Sequence, residues 1–212
     1  MSQHTWPSGI YNLIETLTCR VRVLSLPQIE RGWATQPGFS GGVMNTVLRL
    51  VNSRLLDGAV WDVSPSPVGH NSLCSWQPGE RQPDLVRLER LVRDRWNRPT
   101  HETPVVSATH IAARLFGSMT NGLPPTNHRN HDLLLSEVYL HYCDRHPQLA
   151  SGWLGEDAVT MAEPGIKNPD AFLFDNCGAI VRVIESAGRY SLNQLEAFHQ
   201  YCQSEQLPYE LW

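Results

Sequence analysis

The chain has 212 residues, 41% of them hydrophobic, with 17 Lys and Arg against 21 Asp and Glu, for a net charge of −4. That apolar share supplies an ordinary core and excludes global disorder, and the length suits one large domain or two small ones. The acidic balance excludes a protein coated in basic surface.

A local basic face is still open. All the cations but Lys167 are arginines, and Arg81, Arg87, Arg90, Arg93, Arg95 and Arg98 crowd together. Arginine forks suit phosphates and guanine edges. The same run also reads as a solvated helix face with ion pairs to Glu89 and Asp94. The five cysteines are odd in number, no CxxC occurs, and neither a charged-then-apolar leader nor a long apolar run is visible. The expectation is a reduced, soluble, cytoplasmic protein that does not touch a membrane.

In chain order, Ile10, Leu13, Ile14 and Leu17 share one face of a first helix over 10–19, and 20–24 is a short β-branched strand. Ser25-Leu26-Pro27-Gln28 is a capping box that opens a second helix ending near Trp33. A Gly/Pro turn at 36–40 leads to a third helix over 41–56, with Val43, Val47, Leu50, Val51 and Leu55 inward. Asp57-Gly58 stops it, and 59–63 reads as a strand. Ser64-Pro65-Ser66-Pro67 reads as the start of a linker over 65–82.

From Gln82-Pro83 a fourth helix runs to Trp96 on the stripe Leu85, Leu88, Leu91 and Val92. A further helical piece is expected over 107–116, then a loop over 117–130. The helix over 131–145 carries Leu134, Leu135, Val138, Tyr139 and Tyr142 on its apolar side. A strand over 153–160 follows, then a hairpin of 171–174 and 179–185 around Asp175-Asn176-Cys177-Gly178. Ser191 and Gln194 form a second capping box for a helix to Glu205, and 207–212 is a last strand. A helix returning between two strands requires a mixed sheet with at least one parallel pair. The expected fold class is α+β.

Three short helices, a sharp turn before the third and a strand after it resemble a winged helix-turn-helix domain over 1–64. The resemblance implies that the third helix meets double-stranded DNA through Asn45, Thr46, Arg49, Asn52 and Ser53, since Asn and Arg read adenine and guanine edges. The other reading of that unit is a helical module for protein contact or dimerisation.

In the C-terminal half, Pro169-Asp170 opens one strand of the hairpin and Glu185 closes the next, so both carboxylates come to one end of the sheet. Two converging carboxylates suit a hard divalent cation such as Mg²⁺. The alternative is turn capping and ion pairing with Arg182 or Arg189. The pattern is similar to restriction-endonuclease-like PD-(D/E)xK domains over 83–212. The pieces His131-Asp132-Leu133, Glu137-Val138-Tyr139, Trp153…Glu156-Asp157, Pro169-Asp170-Ala171 and Ile184-Glu185…Gly188…Tyr190 resemble the plasmid replication-relaxation family.

That resemblance implies Asp170 and Glu185 as metal ligands and catalytic groups, with Glu137 as a further acid. The lysine slot two residues after the Glu holds Ala187, leaving Lys167 or Arg189 as the nearby cations. It therefore implies a homodimeric DNA-binding regulator of transcription or replication on a plasmid or mobile element, with an impaired nuclease-like domain. An Mg²⁺-dependent endonuclease targeted by the winged helix is the alternative, and a dimeric interaction module without DNA is a third.

His128, His131, His141 and His146 lack the compact pairing of a zinc site. Phe198, Tyr201, Tyr209 and Trp212 read as core rather than a base-stacking platform.

Overall fold

The computed structural model describes residues 6–64, 71–95, 98–118, 122–159 and 169–212. Helix α1 (Ser8–Glu15) buries Ile10, Leu13 and Ile14 at i, i+3, i+4 spacing and runs into a π-helical turn at Thr16–Arg20. In that turn Val21 N donates to Thr16 O and Thr18 Oγ1 donates to Ile14 O. Such turns are rare local departures from the α ladder.

Strand β1 (Leu24–Ser25) passes directly into α2 (Leu26–Trp33) through the expected capping box. Ser25 N donates to Gln28 Oε1 at 2.8 Å and Gln28 N donates to Ser25 Oγ at 3.4 Å. A cap of this kind contributes about 1 kcal/mol. Trp33 is buried, and its indole N–H donates to Asn12 Oδ1 at 2.8 Å, which ties α2 to α1. The connection ends at Gly42, whose φ of +90° suits a residue without Cβ, and α3 (Val43–Asn52) begins there.

Strand β2 (Leu56–Val63) does not turn straight back. The chain leaves it to form β3 (Cys74–Trp76) and α4 (Leu85–Asp94), then returns as β4 (His101–Ala108). β4 pairs antiparallel with β2 from Leu56↔Ala108 to Val63↔His101, and with β1 at Leu24↔Val106. The result is a three-stranded sheet in the order β1-β4-β2.

This corrects the helical reading of 107–116. Ser107 and Ala108 end a strand, and α5 (His110–Leu115) starts only after Thr109, whose Oγ1 accepts from Ala112 N. Pro104 disguises β4, because a proline argues against a central strand. Here β1 reaches only Val105 and Val106, so Pro104 has a strand on one side alone.

The second half runs α6 (Arg129–Arg145), α7 (Pro147–Ser151), β5 (Trp153–Gly155), β6 (Ala171–Phe174), β7 (Ile180–Glu185), α8 (Leu192–Ser204) and β8 (Tyr209–Leu211). Asp175 closes the β6–β7 turn by accepting from Cys177 N and Ala179 N at Oδ1. The five-stranded sheet has the order β3-β8-β7-β6-β5. β7 and β8 are parallel and the other neighbours antiparallel, which is the mixed sheet that the crossover helix requires. Phe198 and Tyr209 pack edge to face at 5.0 Å between α8 and the sheet.

The fold is α+β, with two sheets interleaved along the chain. The boundaries at 64 and 82 do not follow them. β3 lies in the stretch read as linker yet forms the edge of the C-terminal sheet. β4 lies in the stretch read as C-terminal domain yet completes the N-terminal sheet. One apolar core joins the two halves, with Leu13, Leu24 and Trp33 in the same cluster as Leu134, Tyr142, Trp153 and Ile184. At the seam a Cβ on Gly155 would lie 2.6 Å from Arg20 O, so only glycine allows β5 this close to the π-helical turn. Among the described residues no helix is long and apolar enough to cross a membrane.

Candidate functional site

Two places carry the sequence-predicted residues. The first is the outward face of α3. Val43, Thr46, Val47 and Leu50 are buried at i, i+3, i+4, i+7, and Asn45, Arg49, Asn52 and Ser53 are exposed. Asn45 Nδ2 donates to Gly41 O, and Ser53 Oγ donates to Leu50 O. Thr46 is a correction: it is fully buried and donates to Gly38 O at 3.2 Å. Its spacing from Val43 and Leu50 puts it on the core side of the helix. Its hydroxyl instead accepts from Arg49 Nη2 at 3.2 Å and steadies that exposed guanidinium. Met44 and Leu48 are also exposed on this helix.

The second place is the end of the β6–β7 hairpin. The register Ala171↔Ile184 sets Asp170 opposite Glu185, as the sequence predicts. Both are buried, and Asp170 N donates to Glu185 Oε2 at 3.2 Å. Their other hydrogen-bond partners differ. Asp170 Oδ2 accepts from Ser186 N at 2.8 Å, from Ser186 Oγ at 3.0 Å and from His131 Nε2 at 2.9 Å. Glu185 Oε1 instead accepts from the Tyr190 hydroxyl.

His131 also meets its neighbour on α6, with Nδ1 2.9 Å from Asp132 Oδ1. Burial alone would lower its pKa, but the charges of Asp170 and Asp132 and its hydrogen bonds to both outweigh burial and lift it to about 10. Each ring nitrogen faces a buried carboxylate oxygen at 2.9 Å, an arrangement that favours the imidazolium.

The remaining expected residues do not join this cluster. Glu137 is a correction. It faces α2, accepting from Arg31 Nη2 at 2.6 Å and Gln28 Nε2 at 3.0 Å. Five positions separate it from Asp132, which is about 140° of helix rotation. Arg189 is exposed in the turn after β7, and Lys167 lies outside the described residues. Ala187 is fully buried among Leu85, Leu88, Leu195 and Leu211, so the slot expected for lysine faces an apolar cluster.

Beside the cluster, a cleft lies between the π-helical turn and the end of β5, lined by Arg22, Asp132, Glu156, Asp157 and Asp170. Arg22 spans it with a two-pronged contact to Asp157 at 2.6 Å and a third bond to Glu156 at 2.8 Å. That hydrogen bonding to Asp157 raises the Arg22 pKa further above an already basic value. Asp132 Oδ2 is buried on the cleft wall without a hydrogen-bond partner among the described residues.

Among the described residues no group of three or more His, Cys, Asp or Glu side chains is arranged to hold a metal ion. A cation at Asp170 Oδ2 would have to compete with His131 and two Ser186 donors for that oxygen. The sequence reading misses His131, Asp132, Ser186 and Tyr190 as partners of the carboxylate pair. The signals for them are adjacency for Ser186, which follows Glu185, and the presence of His131, Asp132 and Tyr190 among the pieces that carry the resemblance.

Compared with known proteins, the chain matches no family model, no curated protein and no solved structure.

Proposed function

We propose that this protein binds duplex DNA through the outward face of α3, as a homodimeric cytoplasmic regulator of transcription or replication on a plasmid or other mobile element. In this reading α1–α3 and the β1-β4-β2 sheet are a winged helix, and the C-terminal sheet with α6 and α8 is a nuclease-like domain that contributes contacts without cutting. The observation that carries it is the exposed set Asn45, Arg49 and Asn52 on a helix whose other face is anchored in the core. Those side chains can reach base edges while the helix stays rigid. For the absence of cutting, the support is the occupied Asp170 oxygen and the apolar surroundings of Ala187.

A protein-contact module is the second reading, and one observation favours it. The exposed charges of β2 and β4 are Asp57, Asp62 and Glu102, and neither strand carries Lys or Arg. Acidic strands beside α3 repel phosphate, and exposed Met44 and Leu48 suit a protein surface better than a sugar-phosphate edge.

Fluorescence anisotropy on labelled duplexes across a salt series, followed by Mg²⁺ on the same complexes, separates these outcomes. The proposal expects binding that weakens with salt and intact DNA after Mg²⁺. No binding to any duplex at low salt would favour the protein-contact reading. Cleavage that Asp170→Ala abolishes would restore the endonuclease.

A further inference from the structure

Strands β2 and β4 carry no Lys or Arg, and their exposed Asp57, Asp62 and Glu102 repel phosphate. The arginines that could meet phosphate lie on α4, between these strands in the chain. α4 is inserted in the β2–β4 connection, and only 95–100 separate it from β4. Leu85, Leu88 and Val92 bury one side of α4 in a cluster with Leu195 of α8. Arg87, Arg90 and Arg93 recur at three-residue spacing on the opposite, exposed side.

Several arginines elsewhere are already engaged, while Arg54, Arg81, Arg98, Arg114, Arg145 and Arg189 are exposed on other segments. Arg20 is bound to Glu15, Arg22 to Asp157 and Glu156, Arg31 to Glu137 and Arg182 to Glu210. Arg129 lies over the Trp61 ring. On α4 only Arg93 has an ion-pair partner, Glu89 at 2.7 Å, and its own side chain is 65% exposed. Glu89 is half-buried, and Asp94 is the exposed acid of the helix, on the same side as Arg87 and Arg90. Arg87 and Arg90 have no side-chain partner among the described residues, so they keep both their charge and their donor forks.

We infer that the Arg87–Arg90–Arg93 face of α4 is a second contact surface for nucleic-acid phosphates. The inference rests on the DNA reading of α3 and adds the backbone contact that the acidic strands do not offer. The face carries forks for phosphate oxygens and none of the Asn-rich base-reading character of α3. It therefore fixes affinity and not sequence.

The test uses the full-length protein and anisotropy on one selected duplex and one scrambled duplex across a salt series. The Arg87→Gln/Arg90→Gln variant is compared with Arg114→Gln/Arg145→Gln, which removes equal charge from exposed sites elsewhere. The α4 variant should bind both duplexes roughly tenfold more weakly at low salt, and its log–log salt slope should fall by about 2. The control pair should change neither. If wild type binds and the α4 variant keeps its affinity and slope, this inference fails while the α3 reading stands. If wild type binds no duplex, both fail. Unchanged DNA binding with lost binding to polyglutamate would assign the face to acidic proteins and overturn the inference.

Discussion

The face of α3 and the carboxylate cluster at the β6–β7 end both attract attention in the sequence, and they use their polar groups in opposite ways. On α3 the exposed polar side chains stand in solvent, and the bonds of Asn45, Arg49 and Ser53 run only to their own helix or its edge. At the hairpin end Asp170, Glu185, Asp132 and Ser186 are buried, and their bonds run to one another, to His131 and to Tyr190. A surface free to bind a partner is one whose hydrogen-bonding capacity is not consumed at home. Residue type alone does not distinguish the two, since Asn, Arg, Asp and Glu serve either purpose. What separates them is burial and the identity of the partners.

The largest effect expected from this contrast is on stability. Asp170→Ala leaves the His131 imidazolium and the Ser186 donors without their acceptor inside the fold. Breaking a buried pair by removing one partner costs about 3–5 kcal/mol. Urea denaturation should show that loss in the midpoint, and a change under 1 kcal/mol would mean the cluster is not structural.

The second effect sharpens the role of His131. Its folded pKa near 10 lies above the ordinary value of 6.5. A raised pKa gives stability that is fully present below pH 6.5, declines as pH rises, and is gone above pH 10. The urea midpoints of wild type and His131→Gln should differ most at pH 6 and converge by pH 10. A gap that widens with pH would break the assignment of an imidazolium.

The smallest stability effect belongs to the N-terminal frame that holds α3. Ser25→Ala removes the α2 cap and should cost about 1 kcal/mol by thermal or urea unfolding. No loss would mean that packing of Trp33 alone holds α2 in register.

Much of this frame is legible from local rules. Ser25 with Gln28, and Ser191 with Gln194, announce two helix starts, and Asp175 to Gly178 announces the β6–β7 turn. The core side of α3 follows from its period, and the same period would have removed Thr46 from the exposed set. β4 is not legible because Pro104 breaks the strand signal, and β3 is only three residues long. Their absence from the reading misplaced both domain boundaries. The cluster is half legible. Asp170 and Glu185 meet because a tight turn fixes the register between them. His131 and Asp132 reach them only through the packing of α6 on the sheet, which no short-range pattern encodes. Glu137 shares that helix but lies on the side turned to α2.

The most direct test is the affinity of Arg49→Ala and Asp170→Asn for the same duplex, measured side by side on folded protein at low temperature. The account predicts that Arg49→Ala weakens binding by about 1–3 kcal/mol while its urea midpoint stays put. Asp170→Asn should lower the urea midpoint and leave the affinity within about twofold, well under the 1.4 kcal/mol of a tenfold change. Unchanged binding in Arg49→Ala together with lost binding in folded Asp170→Asn would contradict it, and would move recognition from α3 to the carboxylate cluster.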